Sequence, residues 1–392
     1  MRILQIHNSY KQAGGEDIVV EEEARLLIAK GNEVHQVIKS NDEIGSLKSK
    51  IDLLFSTHYN HAASREIKQI LRDIKPDIVH VHNFFPLFSP SIFDAINHEG
   101  VPSILTLHNY RLIHPNGLLL HRGKIDERGL VSSAYGCIKD KVYRDSYIQT
   151  TVVAHMIEHH RRKGTWDKVT RFIALSSFAK SKFVEWGLPQ ERISIKPNFI
   201  GKEHSREPLP FNQRKDFVYI GRVSEEKGIA QLVNYWRENQ TQTLHIIGEG
   251  PLDVDLMNQT SAAPNIIWHG KQSRSDTIKY LRKSKALIFP SICYENFPMT
   301  ILEAFGNGIP VLTNSIGSHG AIVEHQTNGL HFDLNDTETI SKAISLAADP
   351  SVNERLSTQA YEDYNLQFSS EKNHDRMLSI YMNAIESKAS AH

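Results

Sequence analysis

Cysteine is scarce in this chain of 392 residues: there are two, Cys137 and Cys293. That excludes a disulfide framework and a cysteine-rich zinc site, and it suits a reducing compartment. No apolar run approaches the roughly 20 residues of a membrane-spanning helix. The opening Met1-Arg2-Ile3-Leu4-Gln5-Ile6-His7 turns polar too soon for a secretory leader. Net charge is absent as well, with 45 basic against 45 acidic residues, so nothing draws the whole molecule to nucleic acid or anionic lipid. The expectation is a cytoplasmic protein with no nucleic-acid partner; contact with the inner face of the cell membrane through a local basic patch stays open. Length and a 40% hydrophobic content fit a globular chain of two or three domains. What is plentiful is histidine, 21 in all.

Short apolar runs alternate with helix-period segments. Strands are expected at 2–7, 33–38, 76–82, 103–108 and 171–175, with helices at 17–30, 67–74, 92–97 and 177–186. The alternation restarts at 216–220 and continues to a strand at 311–313. It predicts an α/β fold with parallel sheets covered on both faces. Residues 198–215 hold Pro208, Pro210, Gly201 and many charges without a period, and read as an interdomain linker. The division is therefore 1–197, a linker at 198–215, a second domain at 216–365, and a C-terminal helix within 366–392. Two α/β domains joined by one linker predict a ligand-binding cleft. Residues 109–140 are irregular and rich in glycine, more in keeping with a functional loop than with filler.

After the strand ending at Ile220 comes Gly221-Arg222-Val223-Ser224-Glu225-Glu226-Lys227-Gly228. Ligands of open α/β sheets bind beyond the carboxyl ends of the strands. Arg222 and Lys227 are thus placed to meet an anion: a guanidinium offers forked bonds and an ammonium a point charge. A solvated loop with ordinary charges is the plainer reading. Glu295 lies in the loop after the strand 286–289, and Glu303 in the next helix behind Ile301 and Leu302. A carboxylate at such a place suits vicinal hydroxyls, although a surface acid or a hydrolase pair has the same spacing.

These residues, with Gly14-Gly15-Glu16, Thr106-Leu107-His108-Asn109, Ile195-Lys196-Pro197-Asn198 and His245-Ile246-Ile247-Gly248-Glu249-Gly250-Pro251, resemble the retaining glycosyltransferase family 4 over nearly the whole chain. The resemblance implies the GT-B fold, two Rossmann-like domains facing across a cleft. The N-terminal one would serve the acceptor and the C-terminal one the nucleotide sugar. It implies that Arg222 and Lys227 bind a donor diphosphate, Glu303 the ribose, and Glu295 the transferred sugar. Backbone amides of Asn296, Phe297, Met299 and Thr300 would reach sugar or phosphate oxygens. Gly14 and Gly15 would let the first loop approach the donor, and His108 would sit near the sugar. His108, Glu295, Arg222 and Lys227 are the catalytic candidates. The acceptor would be a glycan or a lipid-linked chain in surface polysaccharide or glycolipid assembly, with Tyr110, Arg111 and Asn116 as candidate contacts. No metal and no cofactor are expected. The chain departs from the family at Asn109, where aspartate is frequent, and at Gly320-Ala321, where Pro-Glu is usual.

Other readings compete. A GT-B sugar-nucleotide epimerase or a non-catalytic sugar-nucleotide binder would share these motifs. His155-Met156-Ile157-Glu158-His159 matches the H-x-x-E-H pattern of inverted zinc peptidases. The cations at Arg161, Arg162 and Lys163 argue against metal there and instead suggest a basic helix face resting on anionic lipid. Gly248-x-Gly250 lacks the third glycine of a dinucleotide fingerprint, so NAD use is not expected.

Overall fold

The computed structural model describes residues 1–10, 14–43, 56–239 and 241–390; residues 391 and 392, the end of the expected C-terminal segment, lie outside these. Chain contacts divide the molecule into two units. One comprises Met1–His121, Asp126–Asn198 and Asn373–His392; the other comprises Arg122–Ile125 and Phe199–Lys372.

The first unit is built on six strands, β1 (Arg2–Ser9), β2 (Glu33–Ser40), β3 (Ile78–Asn83), β4 (Ser103–Leu107), β5 (Arg171–Ala174) and β6 (Ile193–Ile195). Their order is β2-β1-β3-β4-β5-β6, and every pairing is parallel. β3 and β4 are buried along their whole length, as central strands of a sheet covered on both faces must be. The helix Ser177–Trp186 starts where Ser176 Oγ accepts from the Ala179 amide and stops at Gly187, whose φ of 117° suits a left-handed cap.

The second unit has strands β7 (Phe217–Ile220), β8 (Leu244–Ile247), β9 (Ile266–Gly270), β10 (Ala286–Phe289), β11 (Val311–Thr313) and β12 (Gly329–His331). Their order is β9-β8-β7-β10-β11-β12, again all parallel. Counted within the unit this is 3-2-1-4-5-6, the doubly wound order of dinucleotide-binding sheets. The direction of winding reverses between β7 and β10. The helix Ile229–Glu238 buries Ile229, Leu232, Val233 and Trp236, one stripe at helical spacing, against Phe217, Leu244 and Ile288 of the sheet. The expected α/β class with parallel sheets is the class observed.

Residues 198–215, expected as a linker, belong from Phe199 onward to the second unit. Arg214 is buried there and donates to the Leu209 and Gly308 carbonyls, Asn353 Oδ1 and Ser357 Oγ. Prolines and charges signal irregular backbone, and irregular backbone can still be packed. The last helix spans Ser370–Ala389. From Asn373 it counts with the first unit, where buried Tyr381 meets His80 Nδ1 through its hydroxyl at 2.7 Å.

Candidate active site

The loops after β7 and β10 flank the point where the second sheet reverses direction. Gly228 lets them touch. Its φ is +65°, and a Cβ added there would lie 2.1 Å from the Pro290 carbonyl oxygen, a contact no side chain tolerates. Two hydrogen bonds then join the loops, from the Ile292 amide (3.0 Å) and from Ser291 Oγ (3.1 Å) to the Glu226 carbonyl. This approach brings Lys227 Nζ to Glu295 Oε1 at 2.6 Å, and Ser291 Oγ donates to the same oxygen at 2.6 Å. Burial works against both charges, and their mutual attraction outweighs it: Lys227 is shifted upward and Glu295 downward, so both are ionised. Cys293, beside the pair, is pushed above the usual thiol range by burial and by Glu295.

Arg222 is exposed, and its guanidinium makes no hydrogen bond or ion pair among the described residues; its carbonyl accepts from Tyr219 Oη at 2.6 Å. Glu303, on the helix Met299–Phe305, accepts from Arg274 Nε at 3.0 Å. Burial exceeds the pull of Arg274 and raises the Glu303 carboxyl above its ordinary range. Asn296 and Phe297 are buried, and Met299 and Thr300 are half-buried at the start of that helix. Gly320 and Ala321 lie in the short helix Gly317–Ile322, which contains no carboxylate. It supplies His319 instead, buried against the Phe289 ring with Nε2 2.7 Å from Asn314 Oδ1. Ser291, Arg274 and His319 were absent from the sequence-based candidates.

The first unit holds a buried polar network around the ends of β1, β3 and β4. His108 Nε2 lies 3.1 Å from His82 Nδ1, and His82 Nε2 lies 3.7 Å from Glu23 Oε2. Glu23 pairs with Lys196, both fully buried. His80 is held between Tyr381 and Thr106 Oγ1, each at 2.7 Å. Burial pushes His108 down to about 3, with His7 and Lys196 adding to the effect, and it lowers His80 and His82 strongly. All three are neutral imidazoles at physiological pH. Across the His82–His108 contact one ring nitrogen donates and the other accepts.

Asn109 explains its own departure from the family pattern. Its Nδ2 donates to Glu16 at 2.9 Å, and burial raises the Glu16 carboxyl. An aspartate at 109 would set like charges face to face. Gly14 caps the helix Gly15–Ala29, its amide bonded to Asp17 Oδ2 at 2.7 Å. Its φ is −111°, and a Cβ would meet atoms no closer than 3.8 Å. Nothing described in this unit therefore requires glycine there, and Gly15 is exposed.

The acceptor candidates each have partners within the first unit. Tyr110 is buried and stacked on Phe183. Arg111 lies over the Phe85 and Tyr143 rings and donates to the Pro115 carbonyl. Asn116 donates to the Leu120 carbonyl at 2.6 Å and accepts from the Leu118 amide at 2.9 Å. All three hold the irregular segment together. The peptidase pattern also fails: Glu158 is buried and accepts from the Ala134 amide at 2.7 Å, while His155 and His159 group with His58 instead.

Sequence comparison decides the family. The family described as Glycosyltransferase Family 4 matches residues 13–204, and that described as Glycosyl transferases group 1 matches residues 201–363. The chain is a family 4 glycosyltransferase. An uncharacterized 42.6 kDa protein in the cps region of Klebsiella pneumoniae is 24% identical to this glycosyltransferase over 74% of the chain and 70% of its own length. UDP-Gal:alpha-D-GlcNAc-diphosphoundecaprenol alpha-1,3-galactosyltransferase of Escherichia coli is 25% identical over 56% of the chain. The chain thus spans 62% of the length of that relative. Sucrose-phosphate synthase from Thermosynechococcus elongatus superposes with a TM-score of 0.72 at 16% identity, covering 98% of this chain and 99% of that one. Anabaena HepE in complex with UDP and glucose superposes with a TM-score of 0.66 at 15% identity, covering 97% and 98%. These likenesses establish the GT-B fold.

Proposed function

We propose that the protein transfers a sugar from a nucleotide-diphosphate donor to a glycan or lipid-linked acceptor, with retention of configuration, in surface polysaccharide or glycolipid assembly. The Lys227–Glu295 pair at the reversal of the second sheet, its lysine on a loop that also carries the exposed Arg222, is the observation that carries the reading. Breaking an anomeric C–O bond leaves positive charge on the sugar and negative charge on the departing phosphate. Lys227 and Arg222 meet the negative charge, and Glu295 accepts from sugar hydroxyls. Glu303 accepts from the ribose hydroxyls, exchanging part of its contact with Arg274. His108 acts as an uncharged hydrogen-bonding group. The departing phosphate takes the acceptor proton, so no enzyme base is assigned, and no metal is required.

The Escherichia coli relative, whose name gives UDP-Gal as donor and a diphosphoundecaprenol acceptor, supports a lipid-linked acceptor. No helix among the described residues is long and apolar enough to cross a membrane, so contact with a lipid acceptor is proposed to be peripheral. The test is a thermal-shift screen against UDP-, GDP- and ADP-sugars, because a ligand of the folded form raises its melting temperature. Turnover of the donor that binds is then followed with a lipid-linked acceptor. A retained anomeric configuration in the product supports the reading. Epimerised donor in the absence of acceptor, or binding without turnover of any acceptor, overturns it in favour of an epimerase or a binder.

A further inference from the structure

Three groups of side chains in the first unit bring histidine, carboxylate or thiol ligands close enough to share a metal: His58 with His155 and His159, Glu23 with His80 and His82, and His114 with Asp126 and Cys137. Two are committed to cations already. Glu23 is paired with Lys196, and Asp126 with Arg128 at 2.6 Å. The third differs. His58 Nδ1 is buried with no hydrogen-bond partner among the described residues. His155 engages its Nδ1 with Tyr135 Oη at 3.0 Å, which leaves Nε2 available.

We propose that His58, His155 and His159 form a three-imidazole site for a late first-row divalent cation, Zn²⁺ being the probe of choice, with water as the fourth ligand. His155 and His159 stand one turn apart on the helix Tyr147–Arg162, so both face the same side. The ring of His58 lies over that side, 4.9 Å from His155 and 4.2 Å from His159 between centroids. The ligand atoms of all three lie within 4.8 Å of one another. Tetrahedral zinc needs nitrogens about 3.3 Å apart, at bond lengths of about 2.0–2.1 Å, a gap that side-chain rotation closes.

The backbone of His58 is already fixed. Its carbonyl accepts from buried His160 Nε2 at 2.8 Å, and His160 Nδ1 is held by Thr165 Oγ1 at 2.8 Å. Tyr135 supplies the outer contact that orients a ligating imidazole. The basic residues that argue against metal in the sequence have other partners, and Lys163 keeps an electrostatic reach to His58 and His159 that a bound cation must overcome. Lys163 donates to Asp94 at 3.0 Å, Arg161 to the Trp186 carbonyl at 3.2 Å, and Arg162 lies over the Tyr135 ring. Imidazole donors select zinc, nickel or copper and reject magnesium. A bound ion would tie the segment before the helix His61–Ile74 to the helix Tyr147–Arg162.

The experiment uses full-length protein free of any histidine tag, stripped with chelator and desalted, then titrated with ZnCl₂ against a chromophoric competitor at pH 7.5. One equivalent of zinc, with a raised melting temperature that MgCl₂ does not reproduce, is expected. His155→Asn and His159→Asn should each weaken zinc by at least the roughly 10–100-fold that outer contacts alone are worth. His245→Asn, in the second unit, should leave zinc binding unchanged. His155 is exposed, so its variant folds and keeps the test decisive even where His58→Asn does not. No stoichiometric zinc in the parent protein, or equal zinc in His155→Asn and His159→Asn, overturns the proposal.

Discussion

The two units treat charge in opposite ways. In the first, Glu23 and Lys196 are sealed together and the histidines around them are held neutral. In the second, Lys227, Glu295, Glu303 and Arg274 stay partly open, with side chains 12–27% exposed, and the Arg222 guanidinium has no partner among the described residues. A sealed pair fixes an architecture, because removing one partner strands the other. An open pair can exchange partners with a charged ligand at little structural cost. The first network is accordingly read as support for His108, and the second as a ligand-exchange site.

Four experiments press on this contrast. The largest effect is expected in the sealed pair. Lys196→Met leaves Glu23 buried and alone and should cost about 3–5 kcal/mol in denaturant unfolding, while Lys196→Met with Glu23→Gln should recover much of it. A loss below 1 kcal/mol would show that the pair is not sealed. Lys227→Ala should lower donor turnover by roughly 10²–10³-fold, with the fold kept by circular dichroism; full activity would remove its role in leaving-group stabilisation.

The third experiment is acidification. His80, His82 and His108 have folded-state values below the ordinary histidine range, so the unfolded chain takes up protons first. Their contribution is complete well above pH 6.5 and is lost progressively as pH falls below it. Between pH 6.5 and 5.5 each should cost about 1 kcal/mol, roughly 3 kcal/mol together. A flat stability profile over that interval would mean they are not buried neutral. The smallest effect is that of Tyr381→Phe, which strips one hydroxyl from His80 and should cost about 1 kcal/mol, with no change in donor melting shifts.

The sequence made part of this legible. Arg222, Lys227 and Glu295 could be named because each sits in a loop after a strand that local pattern marks, and Glu303 because it follows two apolar residues inside the next helix. Their pairing could not, since Lys227 and Glu295 are 68 residues apart and meet only through the contact at Gly228. Arg274 carries no local signal: it opens an ordinary helix, 29 residues before the carboxylate it holds. Glu23 ends the run Glu21-Glu22-Glu23, which reads as a solvated helix face, yet it is the one most deeply buried. The internal partners of Tyr110, Arg111 and Asn116 were not legible, because polar side chains in an irregular loop also satisfy that loop's own backbone. The strand Gly329–His331 is too short for any period to show.

The final helix has a practical consequence. The chain leaves the first unit at Asn198 and returns at Asn373, bringing Tyr381 to His80 and the Asn373 side chain to the Pro197 carbonyl at 2.7 Å. Cutting the gene after residue 198 would therefore release a fragment in which His80 keeps Thr106 but loses the partner of its Nδ1. To study the first unit alone, one would graft residues 373–390 onto it or permute the chain. The order in which a ribosome delivers the segments also implies that this half completes its core only after residues 199–372 of the second unit have been made.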